Sequence, residues 1–228
     1  MRIIKPSYEI LTNISEGGID ELKQIERIGR TCYKSEDHIT EDGESAKKFC
    51  AMLIKNGHEA MIEHSSLSVK FTIDRGVSHE CVRHRVANFA QESTRYVNYS
   101  KEKFGNEIGV IDIKGGIEHD NKMSLLSAEQ IDLIINEWHI AMMDAENHYM
   151  KMIAMGATPQ IARSVLPNST KTELTITANY REWRHILWLR TAPAAHPQMR
   201  EIMIPLLRDL QKRIPVIFDD IEVEDGAL

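Results

Sequence analysis

A chain of 228 residues with 42% hydrophobic content is long enough to bury one sizeable core and reads as one domain, residues 1–228. Its formal net charge of -6 and pI near 5.9 weigh against a protein that coats nucleic acid, where a basic surface supplies most of the affinity. No apolar run approaches the roughly 18 residues of a membrane span, and Cys32, Cys50 and Cys81, with no CxxC pair, suggest neither a disulfide framework nor a zinc knuckle. A cytoplasmic, soluble protein in a reducing compartment is expected.

The β-branched and aromatic residues around Pro6 predict an edge strand over residues 2–11, because proline cannot donate to an interior ladder. Gly17 and Gly18 end it. Ile19, Leu22, Ile25 and Ile28 then recur at helical spacing, predicting an amphipathic helix to about Tyr33. The polar residues 34–43 read as a loop. Ala46, Phe49, Cys50, Leu53 and Ile54 mark a second helix that Gly57 can cap, with Cys50 read as core rather than nucleophile. The next segment, HEAMIEH, invites a metal reading that its spacing refuses: His58 and His64 are six apart, about 240° around a helix, and so diverge. Glu63 and His64 can instead pair locally.

Leu67, Val69, Phe71 and Ile73 alternate with Ser68, Lys70, Thr72 and Asp74, which predicts a strand with one buried face. Arg75 and Gly76 read as a turn. Val77, Cys81 and His84 follow at i, i+4 and i+7, predicting a short helix that delivers Arg83, His84 and Arg85 at its C-terminal end, where the helix dipole favours cations. If residues 91–96 are extended, Gln91, Ser93 and Arg95 face one way and Glu92, Thr94 and Tyr96 the other, placing a hydroxyl beside a guanidinium as a phosphate monoester requires.

Residues 101–126 carry Gly105, Gly109, Gly115 and Gly116 and read as loop, with a short strand at Val110 to Ile113. Ser127 and Gln130 form a capping box for the longest helix, to Met155, with Ile131, Ile134, Ile135, Trp138 and Met142 on one stripe. Gly156 stops it. Pro159 suits the first turn of a short helix that presents Arg163 before Pro167, and Thr172 to Ala178 read as a strand. In the next segment Trp183, Ile186, Leu187 and Arg190 lie at i, i+3, i+4 and i+7, so Arg190 projects from the stripe that faces the core. A buried unpaired guanidinium costs several kcal/mol, so Arg190 meets either an internal carboxylate or a bound ligand. Beyond Pro193 and Pro197 a last helix spans 199–213 with Ile202, Leu206, Leu207 and Leu210 inward, and the acidic stretch from Asp219 is expected to fray.

The densest chemistry lies in residues 80–96, ECVRHRVANFAQESTRY, where an Arg-His-Arg block is followed after seven residues by Ser93 and then Arg95. Guanidinium forks bind phosphate two oxygens at a time, and Asn88, Gln91 and Glu92 add hydrogen-bonding side chains, so the stretch suits an anion. A solvated helix face or a set of internal ion pairs is the other reading. Together with GHEAMIEH at 57–64, DRGVSHECVRHR at 74–85, QESTRY at 91–96, ARSVLP at 162–167 and NYREWRHILWLR at 179–190, this block resembles the signature of the flavin-dependent thymidylate synthases.

That resemblance implies an α/β (α+β) fold, a twisted and mainly antiparallel sheet flanked by helices, and a homotetramer with shared active sites. It implies reductive methylation of dUMP to dTMP, with 5,10-methylenetetrahydrofolate as carbon donor, FAD as redox cofactor and NADPH as reductant. Carried over by position, Arg83, His84, Arg85, Gln91, Asn179, Arg181 and His185 hold the FAD. Glu80, Cys81, Val82, Arg83, Gln91, Glu92, Ser93, Thr94, Arg95 and Arg163 cradle dUMP, with Ser93 and Arg95 on its phosphate. Arg190 polarises the uracil and His58 lines the active site. Ala60 and Met61 depart from the family pattern, which often has a small hydroxyl residue and a proline there, and His185 stands where some members have Asn. No GxGxxG turn is present, so FAD is expected on side chains and subunit interfaces. Three readings compete: a nucleotide-binding regulator without redox chemistry, a methyltransferase with Cys81 as a nucleophile activated by Arg83, and an RNA-binding module, which 6% aromatic content disfavours.

Overall fold

A computed structural model describes residues 1–223. The first strand expected from the sequence is two: β1, Arg2–Ile4, and β2, Ser7–Ile10. Pro6, with no N–H to give, lies between them and the chain changes sheets across it. Helices α1, Ile19–Tyr33, and α2, Glu44–Lys55, follow with the expected bounds. Gly57, at φ 68°, closes α2: its N–H donates to Ile54 and that of His58 to Leu53, both last-turn carbonyls.

Strand β3, Ser66–Asp74, leads straight into α3, Arg75–Cys81. Arg75 and Gly76 are therefore not a turn but the first turn of the helix, because Asp74 caps it by accepting from Val77 N–H at 2.7 Å. The Arg-His-Arg block lies just beyond its end. Strand β4, Ala87–Gln91, was not legible from periodicity, since its Asn and small residues hide the alternation. The extended path stops there: Ser93 accepts from Tyr96 and Val97 N–H, so residues 94–96 turn and the predicted alternation of faces to Tyr96 does not form.

Strand β5, Gly109–Ile111, is shorter than expected and is followed by α4, Lys114–Glu118, in a segment read as loop. Then come α5, Ala128–Ala154, α6, Pro159–Ala162, β6, Lys171–Asn179, α7, Tyr180–Thr191, and α8, Pro197–Arg213. The α5 capping box forms as read, Ser127 Oγ accepting from Gln130 N–H and the Gln130 side chain from Ser127 N–H.

An antiparallel sheet in the order β2-β3-β6-β4 forms the centre, and β1 pairs in parallel with β5. Register places Leu67 opposite Ala178, Val69 opposite Ile176 and Phe71 opposite Leu174. This face is buried with Leu22, Ile25, Phe49 and Leu53 from α1 and α2, and with Trp183, Leu187, Leu206 and Leu207 from α7 and α8. Each such side chain contributes about 1.5–3 kcal/mol on burial, which is why the strand alternation and helix stripes agree. Trp183 Nε1 also donates to Leu67 O at 2.8 Å, locking α7 to β3.

A second cluster joins Tyr99, Ile108, Val110 and Ala162 to Met142 and Tyr149 of α5. The predicted α5 stripe is only partly right: Met142 is buried, but Ile134 is exposed and Ile131, Ile135 and Trp138 are half-buried. The acidic tail departs from expectation too. Asp219 accepts from Val216 N–H at 2.8 Å, Asp220 pairs with Arg184, and Ile221 is buried. Residues 224–228 of that tail lie outside the described residues.

Candidate active site

Arg190 projects from the last turn of α7 toward the turn that follows α3. Its Nε donates to His84 Nε2 at 3.0 Å, Nη1 to Glu80 Oε2 at 2.9 Å and Nη2 to Glu80 O at 3.0 Å. Of the two partners open to Arg190 in the sequence, the internal carboxylate is therefore present. With its side chain 15% exposed, Arg190 keeps one edge toward solvent, and two of its five N–H groups are not used in these bonds.

His84 is enclosed behind Arg190, with Nδ1 3.6 Å from Glu182 Oε1 and its ring 5.8 Å from that of His185. Burial first, then the charges of Arg190 and His185, push its pKa down to about 4, so the ring is neutral at neutral pH. Arg83 and Arg85, by contrast, are exposed on either side of it, as is Val82. The Arg-His-Arg block thus divides: two arginines face outward and the histidine faces in.

Cys81 lies buried at the end of α3 with Sγ 4.0 Å from Met199 Sδ. Burial pushes its thiol up to about 12, outweighing the lowering effect of Arg190. The activation by Arg83 weighed for a Cys81 nucleophile does not arise, because an enclosed thiol loses more from desolvation than it gains from nearby charge. Cys50 is likewise buried and raised to about 12.

A second group gathers where residues 93–95 meet α6. Arg163 Nη1 donates to Thr94 Oγ1 at 3.4 Å, Arg95 Nε to Gln160 Oε1 at 3.1 Å, and Ser93 Oγ accepts from Arg95 N–H at 3.3 Å. Ser93, Thr94, Arg95 and Arg163 are thus brought together as expected. Gln91 and Glu92 are engaged elsewhere: Gln91 Nε2 donates to Ser78 Oγ at 2.8 Å, and the Glu92 carboxylate accepts from Lys171 Nζ at 3.0 Å and Glu173 N–H at 3.2 Å.

On the other side of α7, a cleft of about 710 Å³ is lined by Asn179, Arg181, Glu182, His185 and Trp188 together with Glu59, Glu63, Arg184 and Asp220. Asn179 caps α7, its Oδ1 accepting from Glu182 N–H at 2.8 Å. Arg181 lines this cleft with its guanidinium paired to Glu63 at 2.5 Å, so Glu63 is held by Arg181 in place of the local pairing with His64. Arg184 pairs with Glu59 at 3.2 Å and with both oxygens of Asp220. His58 stands apart and exposed, with Nδ1 3.4 Å from the Tyr33 hydroxyl.

A flat cofactor ring with a phosphate-bearing tail is compatible with this arrangement. The cleft has the size of a small-molecule site, Trp188 offers a 65% exposed aromatic surface, and Arg83 and Arg85 stand on the turn that also carries the cleft residue Val86. Glu182, Arg184 and Trp188 escaped the reading of the sequence as site residues. The signal was the i, i+3 pair Glu182 and His185 on one face of a helix whose opposite stripe is apolar.

A family model described as thymidylate synthase complementing protein matches residues 18–216. The flavin-dependent thymidylate synthase of Corynebacterium aurimucosum is 30% identical over 212 residues, covering 92% of this chain and 84% of the relative. That of Mycobacterium sp. (strain JLS) is 31% identical over 208 residues, 87% of this chain and 79% of the relative. Among solved structures, the UMP/dUMP methylase PolB from Streptomyces cacaoi, bound with 5-Br dUMP, superposes with a TM-score of 0.75 over 96% of both chains. At 23% identity, that likeness carries the fold.

Proposed function

The chain belongs to the family of flavin-dependent thymidylate synthases, and from that premise we propose that it converts dUMP to dTMP as one domain. In this reading 5,10-methylenetetrahydrofolate donates the carbon, NADPH supplies two electrons and FAD is the resident cofactor. The methylene carbon arrives at the oxidation level of formaldehyde, replaces the hydrogen on uracil C5, and becomes methyl on gaining a hydride, while tetrahydrofolate leaves. Bound FAD would supply that hydride after accepting it from NADPH.

The observation that carries the reading is the fixed guanidinium of Arg190. Uracil C5 becomes nucleophilic when negative charge on the pyrimidine N3 and carbonyl oxygens is stabilised, and preoriented cationic donors at a partly enclosed site do this without a covalent bond to C6. Arg190 is held on two sides by Glu80 and His84 and keeps N–H groups for a ligand. Cys81, its neighbour in the core, has a thiol raised to about 12, which supports a mechanism without a cysteine nucleophile. Ser93 and Arg95, with Thr94 and Arg163 beside them, would receive the phosphate. Arg83 and Arg85 would meet the cofactor pyrophosphate, and Asn179 and His185 would line its cleft.

We also infer a homotetramer with shared sites. Two observations support it: Leu133, Ile134, Ile140 and Met143 stand exposed along α5, and His58 lies outside the Arg190 cluster, where a neighbouring copy could use it. Among the described residues no helix is long and apolar enough to cross a membrane. The test of function is direct: purified protein should show flavin absorbance bands and form dTMP from dUMP only when both methylenetetrahydrofolate and NADPH are present. Colourless protein that forms no dTMP after reconstitution with FAD contradicts the reading.

A further inference from the structure

Arginine can only donate hydrogen bonds, so the 3.0 Å contact from Arg190 Nε obliges His84 Nε2 to accept. The neutral ring must then carry its proton on Nδ1, and the group facing Nδ1 is the Glu182 carboxylate, with Oε1 3.6 Å away. Both side chains are enclosed, His84 5% and Glu182 12% exposed, so water screens their interaction little. His185, beside the His84 ring, and Glu80, on Arg190, are the other titratable groups of the cluster. Glu182 stands in the first turn of α7 and Arg190 in the last. One helix therefore carries both ends of the chain of contacts, and His84 bridges them.

We propose that Glu182 is a positioning residue for Arg190: it holds His84 as the Nδ1–H tautomer with its Nε2 lone pair on Arg190 Nε, and so sets the plane of the guanidinium that the uracil meets. The inference rests on the reaction proposed above. Glu80 grips the Nη end of the fork and His84 the Nε edge, and two anchors on a planar group fix its tilt where one leaves it free to swing. At 3.6 Å the Glu182 contact is longer than a hydrogen bond, so it acts as an electrostatic bias on the tautomer. A His84 ring with its proton on Nε2 would present a donor to a donor and release Arg190. Because charge stabilisation depends on direction, a misplacement of about 1 Å is enough to slow the chemical step about a hundredfold.

The experiment uses the flavin-loaded enzyme with Glu182→Ala and Glu182→Gln, in two arms. Nitrogen-15 spectra of the His84 ring, assigned by loss of the signal in a His84 substitution, report which nitrogen bears the proton. The unsubstituted enzyme and Glu182→Gln should show Nδ1–H, and Glu182→Ala a mixture of tautomers. In the second arm the flavin is reduced chemically beforehand and dTMP formed per bound flavin is followed in a single turnover at saturating dUMP. Glu182→Ala should be slower by about tenfold to a hundredfold, and Glu182→Gln, whose amide oxygen keeps the negative end of a dipole facing Nδ1–H, should recover most of the rate. An unchanged His84 tautomer in Glu182→Ala, or a turnover within about twofold of the unsubstituted enzyme, overturns the proposal. If Glu182→Ala does not fold, Glu182→Gln decides through the same spectrum, where loss of the Nδ1–H tautomer is the contrary result. Should the unsubstituted enzyme form no dTMP, the proposed reaction fails by itself, and the His84 spectrum alone decides whether Glu182 holds the ring.

Discussion

Single side chains in this chain are legible from sequence as residues that need a partner, more than as residues with a known partner. The position of Arg190 on an apolar stripe required a carboxylate or a ligand, and the fold supplies Glu80, which lies 110 positions away and so leaves no local signal. The same applies to Glu182 and His84, which meet across the end of α3. At Ser93 the proposed role is phosphate binding. Ser93→Ala should raise the Kd for dUMP by the equivalent of about 1–3 kcal/mol, the scale of a hydrogen bond to a charged group, with turnover at saturation largely kept. Normal dUMP affinity with abolished turnover would point to a covalent or acid/base role. Arg83→Ala or Arg85→Ala, at exposed positions, should lose FAD and leave the melting temperature of the flavin-free protein unchanged, and full flavin occupancy in either would remove that assignment. His84 also predicts a pH effect. Because its pKa falls from 6.5 to about 4 on folding, the unfolded chain binds more protons in that window, so stability present above pH 6.5 is lost as the pH falls toward 4 and levels off below. Chemical denaturation between pH 7 and 4 should show a loss that His84→Gln reduces.

Elements whose apolar period is regular were readable end to end: α1, β3, β6 and α8 fall within a few residues of their expected bounds because one face of each is buried in the same core. Elements decided by the partner they meet were not. Residues 2–10 divide between two sheets at Pro6, residues 94–96 turn on the Ser93 carbonyl, and α4 forms where Gly115 and Gly116 let it lie close on α8. A Cβ at Gly115 would come within 1.9 Å of Glu201 Oε1, so two glycines that read as loop are contact residues. At that contact the Glu201 carboxyl is raised from 4.5 to about 7, by burial first and then by Asp112, Glu118 and Asp74. A raised carboxyl favours the folded state only while the unfolded chain is also protonated, so stability is lost as the pH rises from about 4.5 to 7. Glu201→Gln should therefore raise the melting temperature at pH 8, by the equivalent of about 1–3 kcal/mol, and have almost no effect at pH 4. An equal gain at both pH values would place the cause in packing instead of charge.

At the scale of the whole molecule, five short blocks spread over most of the chain were enough to identify the family, and they lie on or beside α3, α6 and α7. What blocks could not convey is which contacts these residues make within the chain: His84, placed with FAD by position, accepts from Arg190, and Gln91, placed with FAD and dUMP, donates to Ser78 and Thr172. The exposed apolar side of α5, with Leu133, Ile134, Ile140 and Met143, likewise departs from what helical period alone conveys. If the proposed tetramer forms, light scattering should give four copies of the 26.1 kDa chain, and Leu133→Glu combined with Ile140→Glu should reduce that mass. The central claim, that Arg190 and no cysteine activates the pyrimidine, is tested by measuring flavin reduction and dTMP formation separately in Arg190→Lys and Cys81→Ser. Lysine keeps the charge and loses the planar fork. Arg190→Lys should let NADPH reduce the flavin while dTMP formation falls by roughly two orders of magnitude or more, and Cys81→Ser should retain most of its dTMP-forming activity. An active Arg190→Lys beside a folded, flavin-loaded and inactive Cys81→Ser would contradict the account.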